Sequence, residues 1–485
     1  SHGYWPPGMS IVLMIVFFIL GPTIEAGQII MALLSAGLVA VTFWLGLRLF
    51  EDYRVALYAA IFVLLNPVVV YHSCATDATV PMALLVNLSL IALSGCKRGE
   101  FKPFVWAMAA ASVCPYLRVD GFIVPLVVLL YYLWIHRAEQ TRNWREIGIL
   151  AAIWFIPQAP WAIRNYMVFG SFLPATPLTS ALIPSPDDMF KYDITVNFSS
   201  LFGSGLSSLM TMKLAALWQL VYALVFKQTI ILFVFGLFAL PSAMNNRQLR
   251  PFILYGIALL LLLPLFFSCH ILESSFLHSV VALYPFLACL SVQGFRDLMI
   301  DLSTKALRRD LPNLSQYLRT AQEAGIHAIL LVTLAVFSYK IHPQKGDIAR
   351  TFRNLDGFYG SIEERLSDMA IPLDAPLMAT DPFFTFHYCR RPTVILPRDT
   401  NARALENAAA RYKPKYLICV EFSHQTEKWV LPEYRVGKMI LKEVRPRQRL
   451  ADMRNGNGDN EQNLKVPDLD IVGFKIYEIF WLKGQ

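Results

Sequence analysis

Charge is what this sequence has least of. Asp, Glu, Lys and Arg together make up 16% of its 485 residues, where a soluble domain carries roughly a quarter. With 55% hydrophobic residues and a mean hydropathy of +0.46, that scarcity excludes a soluble globular protein and points to an integral membrane protein. Cysteine is also sparse. The seven present include no CxxC and no Cys/His pair at ligand spacing, which excludes a disulfide scaffold and leaves a structural zinc site unsupported. Neither GxGxxG nor a P-loop occurs, so nothing supports nucleotide binding. The net charge of +8 suggests nucleic acid at first sight. The lysines and arginines collect in short loops between apolar runs instead, as they do in cytoplasmic loops of membrane proteins, so no nucleic-acid partner is expected.

Apolar segments are read at 27–49, 54–71, 79–95, 103–117, 121–136, 146–163, 228–244, 251–268, 276–295 and 325–340. About 20 residues cross a ~30 Å hydrocarbon core, and protein-buried spans can be shorter. Arg48 and Arg54 flank one loop; Lys97, Arg98 and Lys102 fill another. Arg137, Arg142 and Arg145, then Arg247 and Arg250, then Arg296 through Arg319 mark three more. These alternate with "YHSCATDAT", "YLRVDG" and "CHILESS", which are poor in Lys and Arg. The positive-inside rule therefore gives ten spans, basic loops in the cytoplasm and a C-terminal tail outside it.

Residues 9–20, between a Pro6-Pro7-Gly8 turn and Gly21-Pro22, reach only about 18 Å as a helix. They are read as a juxtamembrane or re-entrant helix on the outer side. Residues 206–226, with Lys213 and Trp218, read as interfacial, within an outer loop 164–227. After residue 341, "DAPLMAT", "PTVILP", "PKYLICVEF" and "IVGFKIYEIFWL" read as strands and "NARALENAAARY" as a helix, a small α/β domain. The expected division is 1–26, 27–341 and 342–485.

Ionisable residues meet the outer membrane level in four places: Asp77 with His72, Arg118 and Asp120, Arg164 with Asn165, and Glu273 between His270 and His278. Singly, each Arg or Asp can be a snorkelling or capping residue, and lone histidines are more often ordinary polar residues than metal ligands. Together they are a candidate site. Arginines in that position suit a phosphate or pyrophosphate, gripped bidentately. A lipid-borne phosphate needs cations at the interface and an apolar groove below. A lipid or glycan transporter would need polar groups through the midplane, which the spans scarcely offer. A non-catalytic membrane scaffold is the third reading.

"YWPPG" ahead of a short apolar helix, "CPYLRVDGFIVPLVVLLYYL", "PWAIRNYMVFGSFLP" and "FLHSVVALYPFLACL" occur in that order. The pattern resembles bacterial glycosyltransferases related to the dolichyl-phosphate-mannose protein mannosyltransferases, including the aminoarabinose transferase-like enzymes. The resemblance covers nearly the whole chain. It implies a GT-C-like fold: an α-helical multi-span membrane protein of about ten transmembrane helices with juxtamembrane helices and a small extracytoplasmic α/β domain, in a bacterial inner membrane. It also implies sugar transfer from a polyprenyl-phosphate carrier to a glycan, lipid or protein acceptor, without cofactor or required metal. The family's catalytic carboxylate lies in a first outer loop ahead of the Pro-Pro-Gly turn, so the base is expected upstream of Ser1 and is assigned to no residue here. By resemblance and position, Arg118 and Arg164 are expected to hold the donor phosphate. Asp77, Asp120, Asn165, Glu273 and His278 would orient the sugar or those arginines; Tyr4, Pro6, Pro7 and Gly8 would shape the first-loop wall.

Overall fold

The structure is a computed structural model. It describes residues 6–97, 99–137, 143–172, 180–188, 197–203, 205–226, 230–272, 274, 276–309, 311–397, 402–422, 433–436, 438–443 and 471–481. Two compact units form: Ser1–Pro186 with Val196–Lys340, and Asp187–Thr195 with Ile341–Gln485.

The first unit is helical. Its order is α1 (Gly8–Leu20), α2 (Ile24–Phe50), α3 (Tyr53–Leu64), α4 (Pro67–His72), α5 (Thr79–Leu93), α6 (Lys102–Ala111), α7 (Cys114–Leu117), a 3-10 turn Val119–Phe122, α8 (Ile123–Ile135) and α9 (Trp144–Phe169). Then come α10 (Phe198–Gly203), α11 (Leu206–Phe226), α12 (Ile230–Asn245), α13 (Arg250–Leu272), a 3-10 segment Leu277–Leu283, α14 (Tyr284–Arg308) and α15 (Pro312–Asp368). Local chemistry sets the boundaries. Thr23 caps α2 by accepting from the Ala26 amide at 3.1 Å. Asp52 caps α3 through the amides of Arg54 and Val55 and also pairs with Arg296 on α14 at 2.5 Å. Asn66 with Pro67 restarts the chain as α4. Such caps contribute about 1 kcal/mol each. Leu38, Val86, Val127, Tyr131, Phe252 and Leu290 belong to one continuous apolar core.

Among the described residues five helices are long and apolar enough to cross a membrane: Ile24–Phe50, Trp144–Val168, Leu206–Phe226, Arg250–Leu272 and Leu277–Arg308. Six shorter apolar helices of 10–17 residues accompany them. Two expectations change, and a third gains detail. Residues 206–226, read as interfacial with Lys213 and Trp218, form one 21-residue helix whose length and composition would also suit a span. Its lysine is taken up by α13, where Nζ donates to the Leu265 carbonyl and to Ser268 Oγ at 2.8 Å each. The outer loop expected from residue 164 starts only after Phe169, where Gly170 ends α9 in the left-handed conformation (φ 71°). The runs 54–71 and 103–117 are each broken into two helices, at Asn66-Pro67 and before Cys114-Pro115.

The second unit is an α/β sandwich that takes in the end of α15. Its sheet comprises β1 (Leu377–Ala379), β2 (Thr393–Ile395), β3 (Tyr416–Phe422), β4 (Glu433–Val436), β5 (Met439–Glu443) and β6 (Ile471–Trp481), in the order β2-β1-β3-β6-β5-β4. β1 runs parallel to β2 and β3, and the remaining pairs are antiparallel. Strand side chains alternate between faces. Leu377, Ala379, Ile418 and Ile476 accordingly pack with Phe358, Ile362 and Leu366 of α15. Met378, Leu417, Cys419 and Tyr477 pack with Leu405, Ala408 and Ala409 of the helix Ala402–Tyr412. β4 and β5 and the helix Pro382–Cys389 were not read from the sequence.

Candidate functional site

Pro115 in the first turn of α7 and the extended conformation of Arg118 (φ −146°, ψ 146°) end that helix after four residues. The Gly121 amide donates to the Arg118 carbonyl at 2.9 Å, closing the 3-10 turn. A Cβ on Gly121 would sit 2.3 Å from the Cys114 carbonyl oxygen, so only glycine lets the turn fold this tightly. Arg118 and Asp120 therefore share one side of a tight hairpin between two apolar helices.

Arg118 Nε donates to Asp120 Oδ1 at 2.9 Å, and its Nη2 donates to Ser279 Oγ at 3.2 Å. Ser279 in turn donates to Asp120 Oδ2 at 2.5 Å. The guanidinium stands 4.8 Å from the centre of the Phe276 ring. Asp120 is buried, and the Arg118 side chain keeps 13% exposure. A buried carboxylate is tolerated only with such partners.

A second group meets the first on the Leu277–Leu283 segment. His72 ends α4, and its Nδ1 lies 2.5 Å from Asp77 Oδ2. The other Asp77 oxygen accepts from the Thr79 amide, the first of α5, at 2.8 Å. Burial pushes the Asp77 carboxyl up, but the hydrogen bond and charge of His72 and the Thr79 amide outweigh it, leaving it below the usual carboxylate value. The His72 ring stands edge-on to that of His278 at 4.5 Å. His278 directly precedes Ser279. Asn87 of α5 fixes the segment by donating to the Ala282 carbonyl at 2.9 Å.

The structure thus brings together His72, Asp77, Arg118, Asp120 and His278 from the sequence reading, and adds Phe276, Ser279 and Asn87. The two serine and asparagine partners left a faint mark in the sequence: Ser279 follows His278, and Asn87 is an amide inside an apolar run. Gly8 belongs to the same region, because a Cβ there would lie 2.4 Å from the Tyr116 carbonyl oxygen. Pro7 caps α1, with the Ile11 amide on its carbonyl at 2.9 Å, and Pro6 precedes it. Tyr4 and Glu273 lie outside the described residues.

Arg164 and Asn165 are corrected in position: both lie within α9, not in a loop after it. Arg164 donates to Asn165 Oδ1 at 3.0 Å and its guanidinium lies 4.7 Å from the Trp161 ring. These contacts run along its own helix and do not reach the Arg118 cluster. α9 does meet the hairpin nearby, where the Tyr116 hydroxyl donates to the Pro157 carbonyl and Gln158 Nε2 to the Ser112 carbonyl at 2.7 Å. Beside those bonds an apolar groove of about 440 Å³ runs between α6 and α9, lined by Ala109, Ser112, Ile149, Ala152, Ile153, Ile156 and Pro157. His270 is buried against the rings of Phe267 and Phe276. Among the described residues no three His, Cys, Asp or Glu side chains gather as a metal site.

No protein-family model matches the chain, and no curated protein does. Solved structures do. ArnT from Cupriavidus metallidurans in the apo state is similar over 98% of this chain and 88% of its own, at 12% identity and a TM-score of 0.53. The same protein bound to undecaprenyl phosphate is similar over 90% and 86%, at 13% identity and a TM-score of 0.52. At this identity the likeness is one of fold. The chain is a multi-span α-helical membrane protein with the GT-C-like fold.

Proposed function

We propose that this protein is a membrane glycosyltransferase that moves a sugar from a polyprenyl-phosphate carrier to an acceptor at the extracytoplasmic face. The observation that carries the reading is the Arg118–Asp120–Ser279 triangle, a partly exposed guanidinium oriented in advance at the end of an apolar helix hairpin. Sugar displacement leaves negative charge on the carrier phosphate, and a fixed cation in a low-dielectric site stabilises that charge far more than water-exposed groups do. Arg118 is the residue for that task. Arg164, on the neighbouring helix, is its second candidate.

His72 and Asp77, with His278, form the polar wall beside the triangle and would orient sugar hydroxyls. The apolar groove between α6 and α9 lies one turn of chain from Tyr116 and would take the first isoprene units of the carrier. The likeness to ArnT bound to undecaprenyl phosphate supports a polyprenyl-phosphate ligand. The accepting base is assigned to no residue. In this reading the basic loops are cytoplasmic, ten segments cross the membrane, and the α/β unit lies outside.

The test is transfer itself. Membranes carrying the full-length protein, given a panel of radiolabelled polyprenyl-phosphate sugars, should move label out of the carrier pool. Arg118→Ala should lower the rate by about 10²–10³-fold, the usual loss for one such electrostatic group, while the protein still inserts. Wild-type rates in that variant would remove Arg118 from the mechanism. Vesicle transport of a lipid or glycan with no new glycosidic bond would favour the transporter reading.

A further inference from the structure

The helices that hold the Arg118 cluster carry a second polar assembly at their other ends. α5 begins beside Asp77 and ends at Ser94; α8 begins beside Asp120 and ends at Trp134 and Ile135. Fifteen residues of α5 rise about 22 Å, so the two assemblies stand at opposite ends of these helices.

Four arginines meet there. Arg48, in the last turn of α2, donates to the Ser94 carbonyl at 3.1 Å. Its Nη2 and Gln248 Cγ both approach Gly95. Arg250 and Arg137 lie 5.4 and 6.0 Å from the Trp134 ring, and Arg247 directly precedes Gln248 in the turn before α13. Arg48, Arg137 and Arg247 are exposed. Among the described residues none of the four forms an ion pair with a carboxylate. The neighbouring acids are engaged elsewhere: Glu100 accepts from the Lys97 amide and Glu146 from the Tyr132 hydroxyl. Within the same assembly, Ser94 Oγ and Gln248 Oε1 are buried with no hydrogen-bond partner.

We propose that Arg48, Arg137, Arg247 and Arg250, around Trp134 and Ser94, bind the headgroup of an anionic phospholipid. Guanidinium forks match the two free oxygens of a phosphodiester. A tryptophan at a helix end belongs at headgroup depth, and cation–π contacts hold two of the arginines there. A free phosphate ion would lack the acyl chains that the surrounding apolar helix ends can hold, so the ligand is a lipid. This site is independent of the sugar-transfer reading.

The test uses the full chain in mild detergent, titrated with dioleoyl phosphatidylglycerol or dioleoyl phosphatidylcholine and read by native mass spectrometry. Wild type should retain the phosphatidylglycerol preferentially, and inorganic phosphate should not displace it. The triple variant Arg48→Gln, Arg137→Gln, Arg250→Gln should bind it on the order of a hundredfold more weakly, at the usual gain per basic residue near an anionic headgroup. Arg137→Gln with Arg247→Gln, on exposed side chains, covers the case in which the triple variant fails to fold. Unchanged phosphatidylglycerol binding in a folded variant, equal retention of both lipids, or displacement by phosphate would each overturn the proposal.

Discussion

Ser279 Oγ lies 2.5 Å from Asp120 Oδ2, although 159 positions separate the two residues. With the Arg118–Ser279 bond it ties the hairpin between α7 and α8 to the segment after α13, and it completes the cage in which Arg118 is held. Everything proposed for the carrier phosphate depends on that cage being rigid before ligand arrives.

Ser279→Ala should therefore loosen Arg118 without removing it. The buried Asp120 carboxylate loses a donor, which costs about 1–3 kcal/mol, and the guanidinium loses an acceptor. Thermal unfolding should shift downward by a few degrees. Affinity for undecaprenyl phosphate should fall about tenfold, with partial recovery in Ser279→Thr. A variant that is destabilised yet binds the lipid phosphate like wild type would separate the bond from the site.

Asp77 gives a pH signature. Its carboxyl is held below the ordinary value in the fold, so its ionised form favours the native state. The sign follows from linkage: the contribution is complete above the unfolded value near 4 and is lost as pH falls through the lower native value. Asp77→Asn should be less stable than wild type at pH 7. The gap between the two should close on acidification below about pH 4. Denaturant unfolding at several pH values measures this, and a constant gap down to the most acidic point would show that Asp77 is not stabilised in the way described.

Sidedness is accessible through two cysteines. Cys74 is exposed in the loop that carries Asp77. Cys96 lies in the basic loop, and burial followed by the nearby Glu100 pushes its thiol up to about 11. A membrane-impermeant maleimide should label Cys74 in intact cells. Cys96 should label only in inverted vesicles, and slowly until the pH is raised, because the thiolate is the reacting form. Labelling of Cys96 from outside would invert the proposed topology.

In the second unit Arg391 is fully buried. It donates to the carbonyls of Pro372, Cys389 and Ile371 and pairs with Glu363. Arg391→Ala leaves those acceptors without their donor and should destabilise this unit by about 3–5 kcal/mol. Arg391→Lys should recover only part, since an ammonium cannot present the same fork. Limited proteolysis of the α/β unit reports the loss. Resistance equal to wild type in Arg391→Ala would show that the cluster contributes little.

Particular residues show what the sequence could disclose. Arg118 and Asp120 were legible because they are neighbours in a hairpin between apolar runs, and their pairing is local. Ser279 was not, because its role depends on a contact that only the folded chain makes. The strands at 377–379, 393–395 and 416–422 stood out as short apolar runs. Those at 433–436 and 439–443, "EYRV" and "MILKE", mix charges into their length and carry no clean alternation. Arg164 looked like a loop residue because the apolar segment 146–163 stops just before its charge, yet α9 continues to Phe169.

Binding of undecaprenyl phosphate to the purified full chain in nanodiscs tests the central claim most directly, with wild type, Arg118→Lys and Arg118→Ala compared at equal protein stability. Wild type should bind saturably, Arg118→Lys, which keeps the charge but loses the fork, more weakly, and Arg118→Ala at least a hundredfold more weakly. Equal affinity in all three proteins would contradict it.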